Sequence, residues 1–409
     1  MDGELKPYQE RAVKFALDKH QCALLMPTGT GKTVVSLTYL KILNEKAVIV
    51  APASIIRQNV WQNENEKFKL NVDITTDLRQ PGKVFLTSYD WIKNNEEVLE
   101  DYSIIVLDEA HCISDTETIR YRNLSKIVKS IDRVVLLAGY PVENKLNEIF
   151  VLSLITDVLG KNYYHFLYKF FNVIRYSGRI MKTTPKHGSF EKIVSLIKDF
   201  VFIVDKSEAV PNTVKKETIV VRYELTDYQK NIINSIADFG EYSDDKINVR
   251  CKNTLVAFGK LMQVVSGFIY NVNDNKELYP IYLDGDNPKL RALDKVIGGH
   301  DNFLLWYWFD AEQAFLESYK ERCRLSKIQT DSRGLNLQQY NFAIYFSVPL
   351  SGGMFMQSQD RIHRMGRTRD VVSIVLVPEG EFGTKLLGML DRKAKLTKKF
   401  ISELLRTRA

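Results

Sequence analysis

Residues 23–26 form a short apolar run that passes directly into Pro27-Thr28-Gly29-Thr30-Gly31-Lys32-Thr33, and residues 33–43 then read as a helix. No other feature restricts the fold as much. A strand that turns into a helix through glycines gathers backbone N–H groups and a helix N-terminus at one point, a cradle for phosphate. Such loops lie at the carboxyl ends of strands in open parallel sheets. Parallel neighbours need crossover connections, usually helices. In this cradle Thr28, Gly29, Thr30 and Gly31 bring backbone close to a nucleotide. Lys32 would reach its β- and γ-phosphates, and Thr33 would hold Mg²⁺. The general pattern has glycine where Met26 stands.

The further strands are present. Residues 47–50, 84–87, 104–107 and 134–137 are short runs rich in Val, Ile and Leu, bounded by polar or turn residues. They read as buried strands of a parallel sheet, with residues 54–68 as another crossover helix. The pattern changes over 157–205, where Lys161, Tyr163, Tyr164, His165, Phe166, Tyr168, Lys169, Phe170 and Phe171 crowd together. This stretch reads as helical. Its rings either face nucleic acid or form the core of a small bundle, and rings at helical spacing favour the core. A second α/β region opens near Lys215, with strands over 218–223, 303–307, 342–346 and 372–377 and helices between Asp227 and about Gly267. Residues 384–408 read as an amphipathic helix with a solvated cationic face. The resulting division is a first domain over 1–156, a helical protrusion over 157–205, and a second domain over 206–409 with a helical insertion near 227–270.

Composition narrows the function. Fifty-seven Lys and Arg against fifty Asp and Glu give a net charge of +7 over 409 residues, a mild bias that permits a polyanionic partner without requiring one. The four cysteines are far apart, with no CxxC pair, so neither a disulfide framework nor a zinc site is expected. No apolar run approaches a membrane span, and the first residues are polar. A soluble protein without membrane contact is expected.

Two more segments carry chemistry. Val106-Leu107 runs into Asp108-Glu109. An apolar strand ending in adjacent carboxylates is costly unless they serve a cation or a reaction. Asp108 would hold Mg²⁺ and Glu109 would polarise the attacking water; the alternative is an acidic turn. In Gln357-Ser358-Gln359-Asp360-Arg361-Ile362-His363-Arg364 the two arginines are three apart and share a helix face. Two guanidinium groups suit a γ-phosphate in transfer, although a surface arginine pair has the same spacing.

In this order, the three segments resemble superfamily-two helicases, and the flanking residues resemble the SNF2 family. Leu5-Lys6-Pro7-Tyr8-Gln9 is similar to its adenine-reading segment, with Gln9 as reader. Ala51-Pro52-Ala53-Ser54, with Trp61, Glu64 and Phe68, resembles motif Ia, which contacts the DNA backbone. Thr87-Ser88-Tyr89-Asp90 resembles the segment before the acidic pair, and Leu137-Ala138-Gly139-Tyr140-Pro141-Val142-Glu143-Asn144 resembles motif III. Asn287-Pro288-Lys289-Leu290 and residues 303–309 are similar to the start of the second motor domain and motif IV. Gly334-Leu335-Asn336-Leu337 resembles motif V, which adds Gly334 to the nucleotide-binding set, and residues 357–366 resemble motif VI. The chain departs from the family at Tyr140, at residues 347–350, at Arg367, and over 324–333, a stretch too short for the extra helix and strand that the resemblance implies there.

The resemblance implies an α/β fold of two RecA-like parallel-sheet domains with helical insertions. ATP would bind between them, Lys32, Thr33, Asp108 and Glu109 coming from the first and Arg361 and Arg364 from the second. It implies an ATP-dependent translocase or helicase using ATP and Mg²⁺. Its partner would be duplex, forked or four-way-junction DNA, met mainly at phosphates. A compact motor of this type resembles phage-encoded helicases that move branched DNA. A monomer or weakly associating chain in the cytoplasm, the host's for a phage protein, is expected. The rival reading is an ATP-gated DNA-binding switch that hydrolyses ATP without processive movement.

Overall fold

The computed structural model describes residues 4–407 except 80–81, 93, 140–141, 143–144, 161, 178, 206–207, 209–213, 274–275, 284, 332–336 and 364–368. Nine strands form the first half: β1 (Gln21–Leu25), β2 (Ala47–Ala51), β3 (Ile74–Thr75), β4 (Val84–Ser88), β5 (Ile104–Leu107), β6 (Arg133–Ala138), β7 (Phe171–Tyr176), β8 (Arg179–Pro185) and β9 (Val201–Ile203). Seven of them make one parallel sheet in the order β3-β4-β2-β5-β6-β1-β9. Alternate residues of its inner strands feed two separate cores. Ala23, Leu25, Val48, Val50, Ile105 and Leu107 enter one. Cys22, Leu24, Ala47, Ile49, Ile104 and Val106 enter the other. A strand apolar on both faces belongs in the middle of a sheet covered by helices on both sides.

The second half holds β10 (Lys216–Tyr223), β11 (Glu241–Ser243), β12 (Asn248–Arg250), β13 (Phe268–Val272), β14 (Leu278–Tyr282), β15 (Phe303–Tyr307), β16 (Cys323–Lys327), β17 (Phe342–Tyr345) and β18 (Val371–Pro378). Five form a second parallel sheet, β10-β18-β17-β15-β16. Two parallel sheets covered by helices follow the α/β plan of the strand pattern and agree with the two RecA-like domains that the resemblance implies. The helices Asp227–Phe239 and Thr254–Val265 lie between β10 and β15.

Three features differ from the sequence reading. The stretch 157–205 is not helical throughout: between the helices Tyr163–Phe170 and Ser189–Ile197 the chain makes an antiparallel hairpin, β7 with β8, and then returns to the main sheet as β9. The short stretch around 324–333 begins with a strand, β16, which pairs with β15 at the sheet edge. Finally, the 26-residue helix Glu381–Arg406 does not stay with the second domain. Phe382, Leu386 and Leu390 join the second core, whereas Phe400 and Leu404 are buried in the first. One continuous helix thus has a foot in each core. Phe400 meets Phe190 edge-on at 5.8 Å, and Lys399 stands 4.5 Å over the same ring. Among the described residues no helix is long and apolar enough to cross a membrane.

Candidate nucleotide site between the two sheets

The chain leaves β1 at Leu25 and starts the helix Lys32–Leu43 after a loop that ends in Gly31, whose φ is +86°. That left-handed angle favours glycine, and space forbids anything else: a Cβ at Gly31 would stand 2.3 Å from Gln9 Nε2. Gln9 is itself buried. Its Nε2 donates to the Thr30 carbonyl at 3.0 Å, its Oε1 accepts from the Lys6 backbone N–H at 2.8 Å, and the Tyr8 hydroxyl donates to the same Thr30 carbonyl at 3.1 Å. The Thr30 hydroxyl donates to Pro27 O at 2.7 Å. The loop is therefore held from behind in its phosphate-ready shape. Lys32 Nζ donates to Met26 O at 3.1 Å and lies 3.8 Å from Glu109 Oε1. Gly139, just past β6, presses on this group: a Cβ there would be 3.3 Å from Thr28 Oγ1 and 3.5 Å from Lys32 Nζ. The buried Thr28 hydroxyl has no hydrogen-bond partner among the described residues.

β5 delivers the acidic pair. Backbone bonds hold Asp108: its N–H donates to Val50 O at 2.8 Å, and its carbonyl accepts from the Tyr89 hydroxyl at 2.8 Å. Glu109 has φ +52°. That conformation costs a non-glycine residue roughly 1–2 kcal/mol. Such strain collects at functional sites. Asp108 and Glu109 are 5% and 3% exposed. Burial, and then the neighbouring Glu109 charge, hold the Asp108 carboxyl well above the usual carboxylate range, while Lys32 opposes the shift. Glu109 Oε2 also lies 3.3 Å from His111 Nδ1.

These groups face a cavity of about 460 Å³. Gln9, Thr28, Gly29, Gly31, Lys32, Thr33, Asp108 and Glu109 line it from the first sheet, and Arg361 and Gln338 from the second. Arg361 is on the helix Gly352–Ile362 and is 3% exposed. Five of the residues expected at the phosphates, the expected adenine reader Gln9 and both carboxylates thus meet one cationic side chain of the opposite domain. Thr30 lies beneath the loop rather than on the cavity wall. Arg364 and Gly334 lie outside the described residues, as do Tyr140, Pro141, Glu143 and Asn144 of the motif III segment.

Glu64 and Phe68, from the segment that resembles the DNA-backbone motif, line this same cavity together with Asn63 and Lys67, and Trp61 is wholly buried. Sequence reading also missed Gln338. Signals for both existed: the helix Val60–Lys67 follows the carboxyl end of β2, where ligands bind in such sheets, and Gln338 follows the motif V segment directly.

The SNF2-related domain model matches residues 8–266. The "DNA annealing helicase and endonuclease ZRANB3" of Bos taurus is 23% identical, covering 97% of this chain and 40% of that protein. The Xenopus laevis "SWI/SNF-related matrix-associated actin-dependent regulator of chromatin subfamily A-like protein 1" is 22% identical over 96% of this chain and 44% of its own. The chain thus spans about two fifths of the curated relatives it matches. A solved structure, the "Sulfolobus solfataricus SWI2/SNF2 ATPase core in complex with dsDNA", is 20% identical and covers 98% of this chain and 94% of that one. Its TM-score of 0.45 is too low for one arrangement to be read from the other. With a family match across well over half its length, the chain belongs to the SNF2-related domain family.

Proposed function

We propose that this chain hydrolyses ATP between its two sheets and uses the cycle to move along duplex DNA, migrating forks and four-way junctions in preference to simple strand separation. One observation carries the catalytic part: a single cavity is walled by Lys32, Asp108 and Glu109 from one domain and by Arg361 from the other. Lys32 and the loop amides bind the phosphates. Glu109 orients and polarises the attacking water. Arg361, with Arg364, stabilises charge on the transferring phosphoryl group. Thr33 and Asp108 would hold Mg²⁺, which supplies charge neutralisation on the β- and γ-phosphate oxygens. The donors fit it, because a buried carboxylate beside a second carboxylate is relieved by a cation, and the buried Thr28 hydroxyl has no hydrogen-bond partner among the described residues. Since Arg361 belongs to the other sheet, hydrolysis requires the domains to be closed. Opening afterwards shifts the DNA contacts by a step.

The DNA part is supported by the family match and by relatives of which one is named a DNA annealing helicase. DNA contacts through phosphates suit a motor that must accept any sequence, and they make binding salt-dependent. At a junction each opened pair is nearly repaid by pairing elsewhere, against about 1.4 kcal/mol per step in net unwinding. The test is ATP turnover with single-stranded, duplex and four-way-junction DNA, followed by triplex displacement and by competition between a mobile junction and a tailed duplex. Duplex-stimulated turnover, third-strand release and junction migration are expected. Turnover without third-strand release would leave an ATP-gated switch, and unwinding of the tailed duplex alone would leave a conventional helicase.

A further inference from the structure

The β7–β8 hairpin lies outside the nucleotide cleft, and the strand order of the main sheet does not need it. The two strands pair only with each other, from Phe171 opposite Pro185 to Tyr176 opposite Arg179. Their foot is firm. Phe166, Phe170 and Phe171 are buried in the first core, and Phe166 touches both other rings at 5.3 and 5.5 Å. The far end is different. Tyr176 is 76% exposed, Met181 65% and Ile174 57%. An isolated two-stranded ribbon is marginal in water, and apolar groups left open along it mark a contact surface.

The charge around it has one sign. Residues 158–190 contain six Lys or Arg and no Asp or Glu, in a chain whose cations and anions are otherwise nearly balanced. Arg175 lies over two half-exposed rings, 5.6 Å from Tyr164 and 5.3 Å from Tyr168. One carboxylate, Glu117, accepts from the Tyr164 hydroxyl at 3.4 Å. Cations alone would suit the phosphates of any duplex. Exposed rings and a methionine add something a duplex can use only at the cost of unstacking a base step, because its base faces already cover one another. Bases offer free faces only where they are unpaired, and stacking on aromatic side chains beside cations is how such strands are held.

We propose that the hairpin is a second DNA contact, taking the unpaired bases at a branch point while the cleft drives the duplex. The assignment rests on the reading of DNA as partner, and it names which part of a branched substrate this surface meets. The test uses the full chain and the double variant Tyr176→Ala, Met181→Ser, both positions being solvent-exposed and outside the cleft. Binding is read without ATP, on a blunt duplex and on a fork of equal length carrying 2-aminopurine in its unpaired arm. The variant is expected to bind the fork between about fivefold and a hundredfold more weakly. Wild type is expected to quench the 2-aminopurine and the variant to lose that quenching. Duplex binding and duplex-stimulated turnover are expected to stay within about twofold. Equal weakening on both DNAs would overturn the proposal in favour of a general phosphate contact. Unchanged fork binding would overturn it outright, and loss of a dimer in light scattering would reassign the surface to a second copy. Because binding is scored without ATP, a wild type lacking DNA-stimulated turnover overturns the translocase reading and leaves the hairpin result to be judged separately.

Discussion

Among the described residues, buried lysine–carboxylate clusters stand in both halves of the chain, one enclosed by its own partners and one on a cavity wall. In the second half, Lys289 and Glu312 are 2% and 0% exposed and 3.9 Å apart. Lys289 Nζ donates to Ser266 Oγ at 2.8 Å and to Ser347 Oγ at 2.7 Å, and stands 4.5 Å over the Phe346 ring. Glu312 accepts from the backbone N–H groups of Trp308 at 2.9 Å and Phe309 at 3.0 Å, and from the Ser347 hydroxyl. In the first half, Lys32 has one carbonyl and a long ion pair, the Thr28 hydroxyl has no partner among the described residues, and Glu109 is held at a left-handed φ. Buried charge enclosed by its own partners ties elements together, here the end of one helix at Ser266, the first turns of two others at Lys289 and Glu312, and the chain just beyond β17 at Ser347. Buried charge on a cavity wall stays open to what enters the cavity.

That contrast can be broken in four ways. The largest effect is expected from Lys32→Ala, which should lower ATP turnover by roughly 10³-fold or more, on the scale of removing a principal transition-state charge, while denaturant unfolding shifts little. Normal turnover would remove the phosphate-loop assignment. Glu312→Ala should do the reverse, costing about 3–5 kcal/mol of stability by stranding a buried ammonium. Chemical denaturation reads it, and a loss under 1 kcal/mol would show that the second cluster holds little together.

The third concerns pH. Burial lowers the Lys289 ammonium to about 8, against the opposing pull of Glu312. The folded state then binds fewer protons than the unfolded state between pH 8 and the ordinary lysine value. Stability from this group is lowest below pH 8 and rises with pH above it, with a slope of at most about 1.4 kcal/mol per unit. Lys289→Met should flatten that part of the stability profile relative to the parent. Parallel profiles from pH 8 to 9.5 would contradict it. The smallest effect compares one hydroxyl in each cluster. Ser347→Ala should cost about 1–3 kcal/mol, because it leaves buried partners unsatisfied, whereas Thr28→Val should leave stability within about 0.5 kcal/mol and weaken nucleotide binding. Equal costs in calorimetry would erase the distinction between the clusters.

Much of the cleft was legible because its chemistry is local. A phosphate loop is a contiguous strand, turn and helix, so Gly29, Gly31, Lys32 and Thr33 can be found from spacing. Asp108 and Glu109 stand out because carboxylates are costly at the end of an apolar strand. Arg361 was harder, since a helix with two arginines on one face has many uses until the opposite wall is known. The hairpin was misread because Tyr163–Phe170 is a helix and its aromatic pattern runs on without a break into Phe171, where the strand begins. No turn signal separates the two. The second cluster was invisible as a cluster: Ser266, Lys289, Glu312 and Ser347 are spread over eighty residues, each unremarkable alone.

Sequence alone determined the two-sheet α/β plan, since apolar runs flanked by turn residues and divided by helical stretches admit few other solutions. It also singled out the loop and acidic residues that line the cavity, because each lies within a few positions of the strand that presents it. Tertiary structure alone decided which distant side chains share a wall, Arg361 with Lys32 and Glu109 across one cavity. It likewise decided that the helix Glu381–Arg406 serves both cores. An amphipathic helix carries one apolar stripe whatever it packs against. Where each part of that stripe is buried depends on the relative placement of two domains, and no local pattern encodes that.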